Sequence, residues 1–107
     1  MSKDKYNVVI FGLSFEWDER KAALNKKKHG LSFDEARTAF FDENALIIYD
    51  PDHSEEEGRF ILMGLSVKLR MLVVCHTYRK AECVIRIISA RKAVRREQRQ
   101  YWQRWHE

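Results

Sequence analysis

The sequence predicts a single α+β domain: two short helices, then a four-stranded, mostly antiparallel sheet, then a closing helix. Three observations carry this. Helix punctuation brackets two segments between Asp18 and Asp42. The hydrophobic pattern changes from helical to strand-like at Ala45, and a basic segment with helical spacing follows the last apolar run. A chain of 107 residues with 45% hydrophobic content can bury one core without disulfides or metals, so one domain is expected over residues 1–107.

The first fourteen residues form an N-terminal extension with a polar start and the apolar run Val8-Val9-Ile10-Phe11 before Gly12. That run suits either a short strand or an extension laid on the surface. Phe15-Glu16-Trp17 alternates and suits another short strand. Asp18 is an N-cap with Glu19 in the first turn, and the helix runs to His29 before Gly30, the residue that best accepts a left-handed C-terminus. Ser32 caps a second helix, with Glu35 completing a capping box and Phe33, Ala36 and Phe40 turned inward. It ends near Phe41-Asp42. Strands are expected over Ala45–Tyr49, Arg59–Ser66, Leu69–Tyr78 and Glu82–Ser89. An acidic loop follows the first of them, and the later connections are short enough for hairpins. The last helix is expected to start at Ser89 or Ala90 and to run to about Trp105.

The net charge is only +4, but its distribution is uneven. Asp42 to Glu57 holds seven acidic residues and no Lys or Arg, whereas residues 90–107 hold six basic residues against Glu97 and Glu107. Such asymmetry suits a basic face for nucleic acid, although solvated charge alone also keeps a small domain soluble. Cys75 and Cys83, both in expected strands, suit a reducing cytoplasm better than a disulfide scaffold. No apolar run approaches the ~20 residues of a membrane span, so no membrane partner is expected. No phosphate loop, dinucleotide fingerprint or Gly-x-Ser-x-Gly elbow occurs, and no His/Cys pair has metal-ligand spacing. Neither cofactor nor metal is expected.

Strict alternation places Arg70, Leu72, Val74, His76 and Tyr78 on one face of the third strand. It places Glu82, Val84, Arg86 and Ile88 together on the fourth. Arg86 is the outlier in an apolar strand. A buried guanidinium costs several kcal/mol unless paired, so it either meets a carboxylate such as Glu97 or faces a polar cleft. In the closing segment Arg91, Arg95 and Arg99 fall at i, i+4 and i+8 beside Lys92 and Arg96. They form a solvated stripe or a track for phosphates, with Tyr101 or Trp102 available to stack on a base. Lys26, Lys27 and Lys28 crowd the end of the first helix before His29, a setting in which that imidazole can respond to a phosphate. His76 is equally readable as a satisfied core histidine.

Three ordered groups of residues resemble the BrnT toxin family. The first is Trp17-Asp18, Lys21, Asn25, Lys28-His29-Gly30-Leu31, Phe33 and Ala36. The second is Arg59, Gly64, Ser66 and Arg70. The third is Arg86-x-Ile88-Ser89-Ala90-Arg91-x-Ala93, Glu97 and Tyr101. The resemblance implies a RelE-like fold and a type II toxin that cleaves cellular RNA and inhibits translation. It also implies a BrnA-like ribbon-helix-helix antitoxin, a hetero-oligomer with it, and contact with operator DNA only through it. Two departures stand out: the fourteen residues before Phe15, and Leu69 where a Gly often precedes the matching Arg.

Metal-free RNA cleavage needs a base for the 2′-hydroxyl, cations around the pentavalent phosphate and an acid for the 5′-oxygen. Arg86, Arg91 and Arg70 are the phosphate candidates, because the guanidinium fork matches phosphate. His29 or His76 are the proton-transfer candidates, with Glu57, Glu97 and Tyr101 as further acid or base groups. Lys26, Lys27, Lys28, Arg95, Arg99 and Trp102 are the expected RNA-binding residues. The rival expectation is a basic module that binds nucleic acid or regulates transcription without cleaving.

Overall fold

A computed structural model describes residues 4–10, 13–50, 58–79 and 83–103. Strands β1 (Asp4–Ile10) and β2 (Leu13–Asp18) are followed by helices α1 (Glu19–His29) and α2 (Phe33–Thr38) and a 3₁₀ turn over Ala39–Phe41. Then come β3 (Leu46–Tyr49), β4 (Phe60–Leu65), β5 (Met71–Arg79), β6 (Val84–Lys92) and helix α3 (Arg95–Gln103). The α+β class, the paired N-terminal helices and the C-terminal helix agree with expectation. The strand count does not. The sheet has six strands in the order β1-β2-β6-β5-β4-β3, mixed rather than a four-stranded meander. β1 and β2 form an antiparallel hairpin, and β2 joins β6 in parallel through Ser14↔Val84, Phe15↔Ile85 and Glu16↔Arg86. A stretch as short as Phe15-Glu16-Trp17 specifies a strand only when a neighbour receives it, and that neighbour lies some seventy residues away in the chain.

The helix ends form as their sequences dictate. Asp18 Oδ1 accepts from the backbone N–H of Arg20 at 2.8 Å, and Gly30 adopts φ 70° while its N–H donates to Lys26 O at 2.8 Å. Ser32 Oγ accepts from Glu35 N–H at 3.0 Å, but the Glu35 side chain does not close the capping box. It turns instead to the β4–β5 hairpin, accepting from Ser66 Oγ at 2.7 Å and from two nitrogens of Arg70.

That hairpin is closed by Leu69 N–H to Ser66 O at 2.8 Å and Ser66 N–H to Arg70 O at 2.9 Å. Leu69 has φ 61°, the one positive φ at a non-glycine residue among those described. The turn therefore keeps the left-handed backbone that a Gly would take without strain. Gly64, by contrast, is required by space: a Cβ there would lie 2.9 Å from Ala39 O.

The helix-covered face of the sheet holds the larger core. Phe15, Trp17, Leu31, Phe33 and Ala36 pack on Leu62, Leu72, Val74, Ile85, Ile87 and Ala90. On the other face Met63, Met71, Val73, Ala93 and Tyr101 form a smaller cluster under α3.

β6 is the main departure from the expected boundaries. It continues through Ser89, Ala90 and Arg91 to Lys92, opposite Leu72, and the helix starts only at Arg95. Ser89 is therefore a strand residue and not a cap. Glu97 caps the helix from within, its Oε1 accepting from Val94 N–H at 2.9 Å. Arg91 does not share a helical stripe with Arg95 and Arg99. The register also shifts between Cys75 and His76, so that Cys75 faces Ser89 but His76 faces Ile87. Ile88 is the extra residue of a β-bulge. Beyond it, Ser89 and Arg91 fall on the same face as Arg86, not the opposite one.

Candidate active site

The bulge gathers Arg86, Ser89 and Arg91 on the face of the sheet opposite α1 and α2. A cleft of about 340 Å³ opens there. Ser89, Ala90 and Arg91 of β6, Val73 and Cys75 of β5 and Ile61 of β4 contribute to its walls. His29 reaches it from the last residue of α1, and Asp50 and Arg59 from the opening of the β3–β4 connection. A second depression lined by Lys21, Asn25 and Lys28 shares His29, Ile88 and Ser89 with the cleft, so a basic margin continues along α1.

Arg91 is held by two bonds to one carboxylate, with Nη1 to Glu97 Oε1 at 2.9 Å and Nη2 to Glu97 Oε2 at 2.8 Å. This fork fixes the guanidinium at the wall and keeps the Glu97 carboxyl below its usual range, chiefly through the Arg91 hydrogen bond. Arg86 donates from Nη1 to Glu16 Oε2 at 2.9 Å, and Arg79 approaches the same oxygen at 3.4 Å. The partner of Arg86 is therefore Glu16, its neighbour across the parallel pair, and not Glu97. Two guanidiniums therefore share this carboxylate. Among the described residues no three His, Cys, Asp or Glu side chains are grouped to hold a metal ion.

Asn25 joins α1, the helix that ends in His29, to the backbone of Ala90 beside Arg91. Asn25 is buried; its Nδ2 donates to Ala90 O at 2.8 Å and to Leu31 O at 3.1 Å, and its Oδ1 accepts from Ala90 N–H at 3.0 Å.

The family model for the ribonuclease toxin BrnT of type II toxin–antitoxin systems matches residues 17–97. The chain belongs to the BrnT family. The crystal structure of the ribonuclease toxin BrnT from Brucella abortus superposes with a TM-score of 0.57 at 23% identity, covering 74% of this chain and 94% of that one, a likeness of fold. No curated protein matches. The BrnT match begins at Trp17, so β1 and most of β2 precede it.

Several expected site residues of this BrnT-family chain lie elsewhere. His76 is fully buried on the helix-covered face, its ring between Phe40, Phe60 and Tyr78, with Nδ1 3.1 Å from Val74 O and Nε2 3.2 Å from the Tyr78 hydroxyl. Burial pushes its pKa down to about 4, so it is a neutral core group separated from Arg86 by the sheet. Arg70 is bound to the buried Glu35 under α2, and its hydrogen bonds hold the Glu35 carboxyl below the usual range. Tyr101 is buried, its hydroxyl donating to Asp42 Oδ2 at 2.6 Å, which ties α3 to the end of the 3₁₀ turn. None of these three lines the cleft.

Lys26, Lys27 and Lys28 are exposed on α1, and Lys28 borders the basic margin. Lys26 faces a different groove, between α1 and α2. Arg95, Arg99 and Trp102 are exposed on one side of α3. Glu57 lies outside the described residues. Sequence reasoning did not single out Asp50, nor assign Glu16 and Asn25 a role. The alternation of Glu16 with Phe15 and Trp17 was the available signal for the first pair partner. Asn25 had a weaker signal, as an uncharged polar residue in a lysine-rich helix.

Proposed function

We propose that this chain is a metal-independent endoribonuclease toxin that cleaves cellular RNA in the cytoplasm and inhibits translation as a single-domain protein. A BrnA-like ribbon-helix-helix antitoxin would neutralise it in a hetero-oligomer, and operator DNA would be reached through the antitoxin. Family membership supports the class of activity, and one observation supports the site: His29 and Arg91 line a single basic cleft across Ser89 and Ala90.

In this proposal the RNA phosphate sits against Arg91, which Glu97 pre-orients, with Arg59 on the far wall. His29 exchanges protons with the 2′-hydroxyl or the 5′-oxygen, since imidazole is the side chain suited to both directions near neutral pH. Fixed guanidiniums stabilise the charge that builds on the phosphate oxygens. Arg86, one bulge away, and Lys21 and Lys28 guide the flanking backbone.

Purified protein incubated with a defined RNA in EDTA tests this directly. Cleavage should occur, and Arg91→Ala should lower its rate by about 100-fold, on the scale of losing one preorganised donor. Salt-sensitive binding without cleavage would replace the enzyme with a nucleic-acid-binding module, the face of α3 that carries Arg95, Arg99 and Trp102 being its surface.

A further inference from the structure

We infer that Asn25 is a positioning residue that sets His29 against Arg91 for RNA cleavage. The inference rests on placing His29 and Arg91 in the active site.

The geometry begins with an edge. β2 covers β6 only at Val84, Ile85 and Arg86, after which the chain leaves the sheet as α1. Ala93 N–H donates to Met71 O at 2.9 Å, which sets the alternation of the β5–β6 ladder. Three residues back, opposite Val74, the N–H and C=O of Ala90 therefore point away from β5, toward the edge that β2 has vacated. Ala90 is 1% exposed, so water does not reach these groups freely. The Asn25 carboxamide takes both, donating to the carbonyl and accepting from the N–H as a neighbouring strand would. Its second donated bond, to Leu31 O, fixes the connection that follows α1.

Both ends of this bridge lead into the cleft. His29 lies four residues beyond Asn25, on the same side of the helix. Ser89 and Arg91 flank Ala90 and line the cleft with His29. Asn25 itself does not reach the cleft in which His29 and Arg91 meet. A carboxamide is the group this task needs. Aspartate is of the same shape but has no N–H for Ala90 O, and alanine orphans both backbone groups. Glutamine keeps the pair but moves the helix end outward by roughly one bond length, ~1.5 Å.

The test is single-turnover cleavage of a defined RNA in EDTA, with binding measured on the same oligonucleotide carrying a 2′-deoxy sugar at the cleaved position. Asn25→Asp should lower the cleavage rate constant by about 100-fold, the scale of a ~1 Å misplacement, while affinity changes by less than about threefold. Asn25→Gln, which retains the amide, should fall between it and the parent. In a His29→Ala background Asn25→Asp should cost little more, because its effect passes through His29. Additive losses, or an unchanged rate constant in folded Asn25→Asp, would overturn the inference. If the unaltered protein cleaves no RNA, the enzymatic proposal fails, but the positioning claim is still decided by imidazole NMR. Asn25→Asp or Asn25→Gln should move the His29 signals and leave those of His76 in place; unmoved His29 signals would sink it.

Discussion

The two faces of the sheet use the same residue types to opposite ends. Under α1 and α2, His76 is packed among aromatic rings and Arg70 is spent on the buried Glu35. On the other face His29 stands at a cleft wall, and Arg91 is braced by a Glu97 that is itself partly exposed. Residue chemistry was equal in the two places; the burial of the histidines and of the carboxylate partners was not. An ionisable group acts on a substrate only where the fold leaves it a route to solvent, and elsewhere the same group becomes a fastening.

Removing the fastening gives the largest expected effect. Arg70→Ala leaves the buried Glu35 carboxylate without its cation and should lower stability more than the other substitutions do. Denaturant unfolding should show it, and the RNA cleavage rate of the folded fraction should not move. A loss of cleavage without a loss of stability would put Arg70 in the site.

Acid should break the same face. His76 has its folded pKa lowered to about 4 from 6.5, so the unfolded chain binds the proton first. Stability is fully present above pH ~6.5 and falls as pH drops toward ~4, by about 3 kcal/mol. Glu35 and Glu97, whose pKa values are also lowered, add their losses below the ordinary carboxylate range near ~4.3. Unfolding midpoints measured across pH 7 to 4 should show the first slope, and His76→Phe should flatten it.

The open face should respond in the converse way. His29→Ala should lower RNA cleavage by about 100-fold while changing stability by no more than ~0.5 kcal/mol, as for a partly exposed group outside the core. A matched fall in both would make His29 another fastening. The smallest effect expected is a gain. Leu69→Gly removes the strain of a left-handed non-glycine residue and should stabilise the hairpin by about 1 kcal/mol, read as a higher melting temperature.

Much of this architecture was legible in the residues. The caps at Asp18, Gly30 and Ser32 are local chemistry, and they formed where their spacing put them. The strand period from Ala45 onward was equally plain. Leu69 is instructive because a departure from the family pattern led to the strained turn itself. The failures share a cause in long-range pairing. Ser89 before a basic run has the composition of a helix start, but the β5 ladder and the Asn25 amide hold that backbone extended as far as Lys92. A bulge at Ile88 has no local signature, so strict alternation put Ser89 on the wrong face. Arg86 was correctly expected to need a carboxylate or a cleft, yet its partner Glu16 comes from a strand that exists only because β6 receives it.

That parallel pair has a consequence for how the protein is made. Of the described strands β6 is the last to be synthesised, yet it lies in the interior of the sheet, between β2 and β5. Until it emerges from the ribosome, the N-terminal hairpin has no bridge to the β3–β5 meander, and the walls of the cleft stand in separate pieces. On the proposed function, a nascent chain of this design has no assembled cleft, and so no cleavage activity, until β6 has been translated.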